Sequence, residues 1–369
     1  MAWEQRLRRM RRQVLTRTPG LVPAVLWARR RGGSDKVNRI LETSEDVRRH
    51  YQVTPRTVIF GQGQKTTLTS LSGARVMAQP AAVIGGDGAL LWPFSPQLDR
   101  RPRATDALWR HSSAALHIPH RSLYAAVDGF SYYHWLLGTV PRLIAGKRGV
   151  PFEFDRFVVN PRHKGKDGFQ LDTFRLLGIP LERVLWLWRG VHLHFEDLTL
   201  PEEPCTESQT ELTPWARHLL RETFLPHVAG SLDGPKRLYI SRAKARRRRL
   251  IGEDALARAL EHDGFTTVYL EDLPLLSQVR LFAGAQTIVG MHGAGLANLV
   301  FAAPGTKVVE LLPEVWRNPC FANLAISGGQ AYESVPVAPV GPKRGFQADG
   351  CVDIEAVRVA CSRLSAALK

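Results

Sequence analysis

Gln286 to Leu312 constrains this chain more than any other stretch. It reads as a β-rich run closing at Gly290, a glycine-punctuated turn carrying His292, an apolar helix stopped by Pro304-Gly305, and a second strand with one carboxylate, Glu310, at its end. Such a segment commits the chain to α/β layering and to a turn suited to an anion. Gly293 and Gly295 remove side chains where backbone N–H groups converge, and a new helix N-terminus carries roughly half a positive charge, so a phosphate can dock there. Glu310 would then face a ribose.

Glycine spacing narrows the choice of phosphate binder. Gly290, Gly293 and Gly295 form G-x-x-G-x-G, which is neither the dinucleotide fingerprint nor a P-loop, so a dehydrogenase or an ATPase is poorly supported. A turn tightened only for packing would show the same glycines. His292 inside the loop favours a ligand, because it can donate to an oxyanion.

The pattern extends upstream. Arg237 to Arg242 looks like a buried strand closing on an arginine, followed by Arg246 to Arg249 and a helix opening at Gly252-Glu-Asp-Ala. Gly264 ends that helix, Thr266 to Leu270 form a strand with Glu271-Asp272 after it, and Leu275 to Ala283 form a helix. Regular alternation of strand and helix predicts a parallel, doubly wound sheet that binds ligands beyond its strands' carboxyl ends. Arg242, Glu271, Gly290 to Gly295 and Glu310 all fall there.

Tyr239-Ile-Ser-Arg242, the arginine cluster, Glu253, Gln278 before Leu281-Phe282, Val289-Gly-Met-His-Gly-Ala-Gly-Leu296 and Val308-Val-Glu-Leu311 resemble the catalytic region of the glycosyltransferase 61 family. Upstream, Tyr132-Tyr-His-Trp-Leu-Leu-Gly-Thr-Val-Pro-Arg142 resembles the same family's tyrosine-histidine-tryptophan helix. Members transfer sugars from nucleotide donors and include plant xylan enzymes, animal protein O-linked N-acetylglucosaminyltransferases and bacterial polysaccharide enzymes. The capsular and extracellular polysaccharide type of the last group is the one expected here.

The resemblance implies an α/β, GT-B-like fold, with two facing Rossmann-like lobes and a cleft, and an inverting transfer from a nucleotide sugar to a glycan or lipid-linked glycan. It places the donor on Arg242, on Arg247 or Arg248, on Glu271, His292 and Glu310, and on the amides of Gly293, Ala294 and Gly295. Arginine suits a diphosphate because its planar fork meets two oxygens and keeps its charge. With that charge already met, no obligatory metal or other cofactor is expected. On the acceptor side the resemblance places Tyr133, Trp135 and Arg142, although Tyr-Tyr-x-Trp-Leu-Leu is also the pattern of a core helix.

Two positions depart from the family. An acidic residue four after the helix histidine is replaced by Gly138, and an asparagine before Glu253 by Gly252. A base must accept the acceptor hydroxyl's proton, so with that acid missing the role falls to His134 or Asp128.

Charge bears on partners. Fifty Lys and Arg against 34 Asp and Glu give a formal net charge of +16, which suits a nucleotide diphosphate, an acidic glycan, an anionic membrane or RNA. No RNA-recognition, zinc-finger or helix-turn-helix signature accompanies the arginines, so no nucleic-acid partner is expected. A degenerate transferase that binds nucleotide or glycan without turnover is the other alternative, favoured by Gly138. Cys205, Cys320, Cys351 and Cys361 lack C-x-x-C spacing and read as free thiols in a reducing compartment. His192 and His194, with His111, His117 and His120 upstream, complete no metal-ligand set.

No stretch reaches the length of a membrane span, and Leu21 to Ala28 is interrupted by Pro23 and followed by Arg29 to Arg31, so neither a span nor a secretion signal is read there. A cytoplasmic location is expected. Trp3 to Arg17 has the makeup of a basic amphipathic helix, either solvated or in peripheral contact with an anionic membrane. The domain plan is a basic leader at 1–50, an acceptor-side α/β lobe at 51–203, a nucleotide-sugar lobe at 204–345 and a packing helix at 346–369. The linker runs through Pro201-Glu-Glu-Pro-Cys-Thr-Glu-Ser-Gln209.

Overall fold

The computed structural model describes residues 39–78, 81–95, 115–127, 131–149, 154–160, 168–188, 191–206 and 210–366. Trp3 to Arg17, Leu21 to Ala28, His111 and Asp128 lie outside them. The described residues form two compact units: one takes those up to Val127 together with Gly138–Glu203, the other Ser131–Leu137 together with those from Pro204 onward. The result is a mixed α/β protein with two sheets.

The first unit is built on ten strands: β1 (Arg39–Leu41), β2 (Arg56–Ile59), β3 (Lys65–Ser72), β4 (Arg75–Ala78), β5 (Ala81–Ile84), β6 (Ala89–Leu91), β7 (Leu116–Tyr124), β8 (Arg156–Val159), β9 (Val184–Trp186) and β10 (His192–Pro201). Their order is β1-β6-β5-β4-β10-β7-β8-β9, with β3 also on β10 and β2 beyond it. β10 runs parallel to β7 but antiparallel to β3 and β4. The expected hairpin forms between β5 and β6, where Gly85 N–H donates to the Ala89 carbonyl at 2.8 Å and Gly88 N–H to that of Gly85 at 3.0 Å. Val76, Val83, Leu91, Tyr124, Val158 and Phe195 contribute to its core.

The second unit holds β11 (Arg237–Ile240), β12 (Thr266–Val268), β13 (Thr287–Met291), β14 (Lys307–Pro313), β15 (Ala331–Val340) and β16 (Asp349–Cys351). The order is β12-β11-β13-β14-β15-β16, parallel throughout except for the β15–β16 edge. All five residues of β13 are buried, as expected of a strand in the middle of a parallel sheet covered on both faces. Helix α1 (Glu253–His262) buries Leu256 and Leu260, four residues apart and therefore on one face. Helix α2 (Ile354–Ala366) buries Val357, Ala360, Cys361 and Leu364 and packs on β14 and β15, as the period of the C-terminal segment anticipates.

Ala294–Phe301, expected as an ordinary helix, is a 3₁₀-helix. Side chains reach its carbonyls, two of them in the last turn: Asn298 Nδ2 donates to Gly295 O at 3.0 Å, Gln330 Nε2 to Leu299 O at 2.8 Å and Arg221 Nη1 to Val300 O at 2.8 Å.

Candidate functional site

Registry in the second sheet places Ile240, Gly290, Glu310 and Ser334 side by side across β11, β13, β14 and β15. The segments that follow β11 and β13 therefore leave the sheet at one level, and Arg242 meets the glycine loop there.

Glu253, the first residue of α1, fixes the approach. One of its oxygens accepts from Tyr239 Oη at 3.0 Å, Ser241 Oγ at 2.7 Å and the Arg242 amide at 2.7 Å. The Arg242 guanidinium then donates through Nε to the Arg248 carbonyl at 3.1 Å and through Nη2 to that of Arg247 at 2.8 Å. Its Nη1 is left against the loop, so close that a Cβ on Gly293 would lie 2.2 Å from it. Burial lowers the pKa of this guanidinium, with Glu253 and Glu271 opposing. Gly252 has φ 78°, the left-handed region that glycine enters without strain.

Arg248 is unusual in two respects. Its φ of 53° is left-handed, a costly conformation for a long side chain that tends to persist at functional sites. Burial, with Arg242 beside it, pushes its pKa down to about 10, and its Nε is buried without a partner. Among the described residues it forms no ion pair; its guanidinium lies over the Trp316 ring, 5.1 Å from the centroid. Desolvating two adjacent cations, one of them without an ion pair, is unfavourable unless an anion completes the site. Arg247 is exposed and lies over Phe346 at 5.7 Å. Glu271 is exposed on the 3₁₀ turn Leu270–Asp272.

His292 and Glu310 are linked. His292 Nδ1 meets Glu310 Oε1 at 2.5 Å, and Tyr332 Oη donates to Oε2 at 2.6 Å. Glu310 is fully buried, so in place of the ribose given to it by sequence it holds His292 in one orientation, the usual work of a carboxylate behind a functional imidazole. Trp316 and Phe321 enclose the His292 ring at centroid distances of 4.9 and 4.8 Å.

The aromatic helix reaches this unit by another route. Tyr132 Oη donates to Asn298 Oδ1 at 2.7 Å, Asn298 Nδ2 to Gln278 Oε1 at 2.9 Å, and Gln278 Nε2 to the Leu270 and Leu273 carbonyls at 3.0 Å each. This buried relay joins the Tyr132–His134 turn to the 3₁₀-helix and to the turn bearing Glu271. Sequence placed Tyr133, Trp135 and Arg142 together on the first lobe; in the structure Ser131–Leu137 belongs to the second unit and Arg142 to the first. Tyr133 stacks edge-on against Phe321 at 5.6 Å and against His134 at 5.4 Å. Trp135 is buried. Burial pushes the His134 pKa down to about 4, and among the described residues its ring nitrogens have no hydrogen-bond partner.

Arg142 is buried in the first unit, where it donates to the Ala126 carbonyl and to Glu203. That engagement makes it a packing cation, in place of the acceptor-side role read from sequence. Trp135–Thr139 is a π-helix, so His134 and position 138 are not held at α-helical spacing. A Cβ on Gly138 would lie 2.8 Å from Val127 Cγ1; glycine is there because Val127 fills the space. Among the described residues no group of three or more His, Cys, Asp or Glu could hold a metal ion, none of the four cysteines is in a disulfide, and no helix is long and apolar enough to cross a membrane.

Trp316, Phe321, Tyr332, Asn298 and Phe346 escaped the sequence reading. The only local signal was their nearness to glycine- or proline-rich turns. Comparison with known proteins adds the following. Residues 132–309 match the family model described as Glycosyltransferase 61. A stretch of 45 residues is 47% identical to a beta-1,2-xylosyltransferase of Oryza sativa subsp. japonica, covering 12% of this chain and 8% of that protein. Another of 114 residues is 34% identical to the protein O-linked-mannose beta-1,4-N-acetylglucosaminyltransferase 2 of Homo sapiens, covering 31% and 20%. A third of 69 residues is 33% identical to a beta-1,2-xylosyltransferase of Arabidopsis thaliana, covering 19% and 13%. The chain thus matches a fifth or less of the length of each of these relatives.

Proposed function

This chain belongs to the glycosyltransferase 61 family through residues 132–309, and from that membership we propose that it transfers a sugar, with inversion, from a nucleotide sugar to a glycan or lipid-linked glycan acceptor. The observation that carries the reading is the Arg242–Arg248 pair beside Gly293: two partly desolvated guanidinium groups, one of them without a counter-ion among the described residues, at the start of a helix. A diphosphate supplies the missing charge. The amides of Gly293, Ala294 and Gly295 add donors, Arg247 adds charge at the rim, and Glu271 offers an exposed acceptor for a donor hydroxyl. In this reading the two units are the lobes of a GT-B architecture.

As the donor's anomeric bond breaks, negative charge grows on the departing diphosphate. Fixed cations stabilise that charge more than they stabilise the ground state. His134 is the proposed base: with its pKa near 4 it is neutral at physiological pH and able to accept the acceptor hydroxyl's proton. Asp128 is the other candidate. Tyr133 is the aromatic assigned to the acceptor, no obligatory metal is invoked, and the arginines are assigned to a diphosphate in preference to nucleic acid.

Calorimetry with a panel of nucleoside diphosphates, paired with mass spectrometry of slow nucleotide-sugar hydrolysis, tests this. Binding by the wild type and its loss in Arg248→Ala are expected. Full affinity in Arg248→Ala and Arg242→Ala, with both folded, would remove the arginines from the donor site. A second reading, a nucleotide binder without turnover, draws on the space at Gly138 being filled by Val127; nucleotide binding without transfer or hydrolysis of any donor would establish it.

A further inference from the structure

Beyond the diphosphate contacts, and resting on the donor-site reading above, we propose that Trp316 and Phe346 form the shelf on which the donor's nucleobase stacks, with Arg247 closing its edge. Trp316 takes the Arg248 guanidinium over its ring at 5.1 Å and meets His292 edge-on at 4.9 Å, so it is built into the anion site. Its outer neighbour is Phe346, 6.2 Å away between centroids. Phe346 is 47% exposed and carries the Arg247 guanidinium over its ring at 5.7 Å. The aromatic series therefore starts beside the desolvated cation and ends in solvent, as a nucleoside would if its phosphates sat on Arg242 and Arg248.

The shelf is anchored on both sides. The arginine loop is tied to the segment bearing Phe346 by the Arg249 amide, which donates to Asp349 Oδ1 at 3.0 Å, and by Lys343 Nζ, which donates to the Arg246 carbonyl at 3.5 Å while pairing with Asp349 Oδ2 at 2.7 Å. Arg242, bonded to the carbonyls of Arg247 and Arg248, holds the same loop from the phosphate side. A base inserted beside Phe346 would have a ring on one face and a planar cation at its edge, the combination that binds nucleobases with little regard to identity. Another exposed aromatic at this end of the sheet, Tyr269, is covered by Lys244 at 5.0 Å, and that lysine is paired with Asp272. Its face is held by that ion-paired cation, whereas Arg247 over Phe346 forms no ion pair among the described residues and can swing from the ring face to the edge as a base enters.

The test measures calorimetric affinities of wild type, Phe346→Ala, Phe346→Tyr and Arg247→Ala for UDP, GDP, CDP, ADP and inorganic pyrophosphate. Phe346 is half-exposed, so its removal should leave the fold intact, which circular dichroism checks. Wild type should bind at least one nucleoside diphosphate more tightly than pyrophosphate. Phe346→Ala should weaken that nucleotide roughly tenfold, the lower end of what a stacked base contributes, and leave pyrophosphate unchanged; Phe346→Tyr should restore it. Unchanged nucleotide affinity in Phe346→Ala, or equal weakening toward pyrophosphate, overturns the shelf while the anion site stands. If wild type binds neither nucleotide nor pyrophosphate, the donor-site reading falls and the shelf with it.

Discussion

The guanidinium of Arg242 and the backbone of Gly293 occupy space that a single methyl group would contest: a Cβ at 293 would lie 2.2 Å from Arg242 Nη1. Because the opposing atom ends a flexible side chain, Gly293→Ala should fold and displace Arg242 from the Arg247 and Arg248 carbonyls. We expect nucleoside diphosphate affinity to fall about tenfold or more, ~1.4 kcal/mol, with Tm lowered only slightly. Wild-type affinity in a folded Gly293→Ala protein would show that the contact is unrelated to donor binding.

His134 titrates near 4 because burial disfavours its cation. If it is the base, the acid limb of the kcat profile should have its midpoint near that value, and His134→Gln should abolish transfer with nucleotide affinity retained. An acid limb centred near 6.5 would point to a different group.

The same shift enters stability. Between the folded value of about 4 and the ordinary 6.5, the unfolded chain binds more protons at this position than the native one. The contribution is complete above 6.5 and is lost as pH falls toward 4. Urea titrations across that window should show stability falling with pH less steeply in His134→Gln than in wild type; equal slopes would contradict a buried neutral imidazole.

Fixed cations are proposed to carry the leaving group's charge. Transfer or donor hydrolysis should therefore survive excess EDTA and gain little from added Mn²⁺. Complete loss with EDTA, reversed by Mn²⁺, would overturn that account.

Position 138 offers no route to a substitute acid. Val127 Cγ1 lies 2.8 Å from where a Cβ would stand, so Gly138→Asp should destabilise the protein by about 1–3 kcal/mol through overpacking and should not rescue His134→Ala. A stable, active double variant would show that Val127 yields.

Asn298 makes three hydrogen bonds, with Tyr132, Gln278 and Gly295. Asn298→Ala strands buried partners at about 1–3 kcal/mol each, so chemical denaturation should show a loss of that order or more. A loss below about 0.5 kcal/mol, the size of an ordinary surface change, would mean that water takes over the relay.

The strand, loop and strand from Thr287 to Pro313 were legible in sequence because their signals are local: an unbroken apolar run, glycines at a turn, and Pro304-Gly305 as a stop. The capping of the same segment's last turn was not, since it uses Arg221 and Gln330, side chains far away in the chain. Glu310, read at a strand end, lies in the middle of β14 (Lys307–Pro313), and its engagement is set by Tyr332, one strand further on. Arg142 carried a motif and proved to be a packing group, because Ala126 and Glu203 lie outside the window in which the motif is read.

Tyr132 and Asn298, partners in one hydrogen bond, stand 166 residues apart. At roughly 5–20 residues per second of synthesis, on the order of 10 to 30 seconds pass between making the first and making the second. During that interval Ser131–Leu137 has emerged without the unit it belongs to, and its tyrosines and Trp135 must wait in water or be held by a chaperone. A ribosome paused before residue 298 would therefore display an incomplete second unit, however well the first had folded.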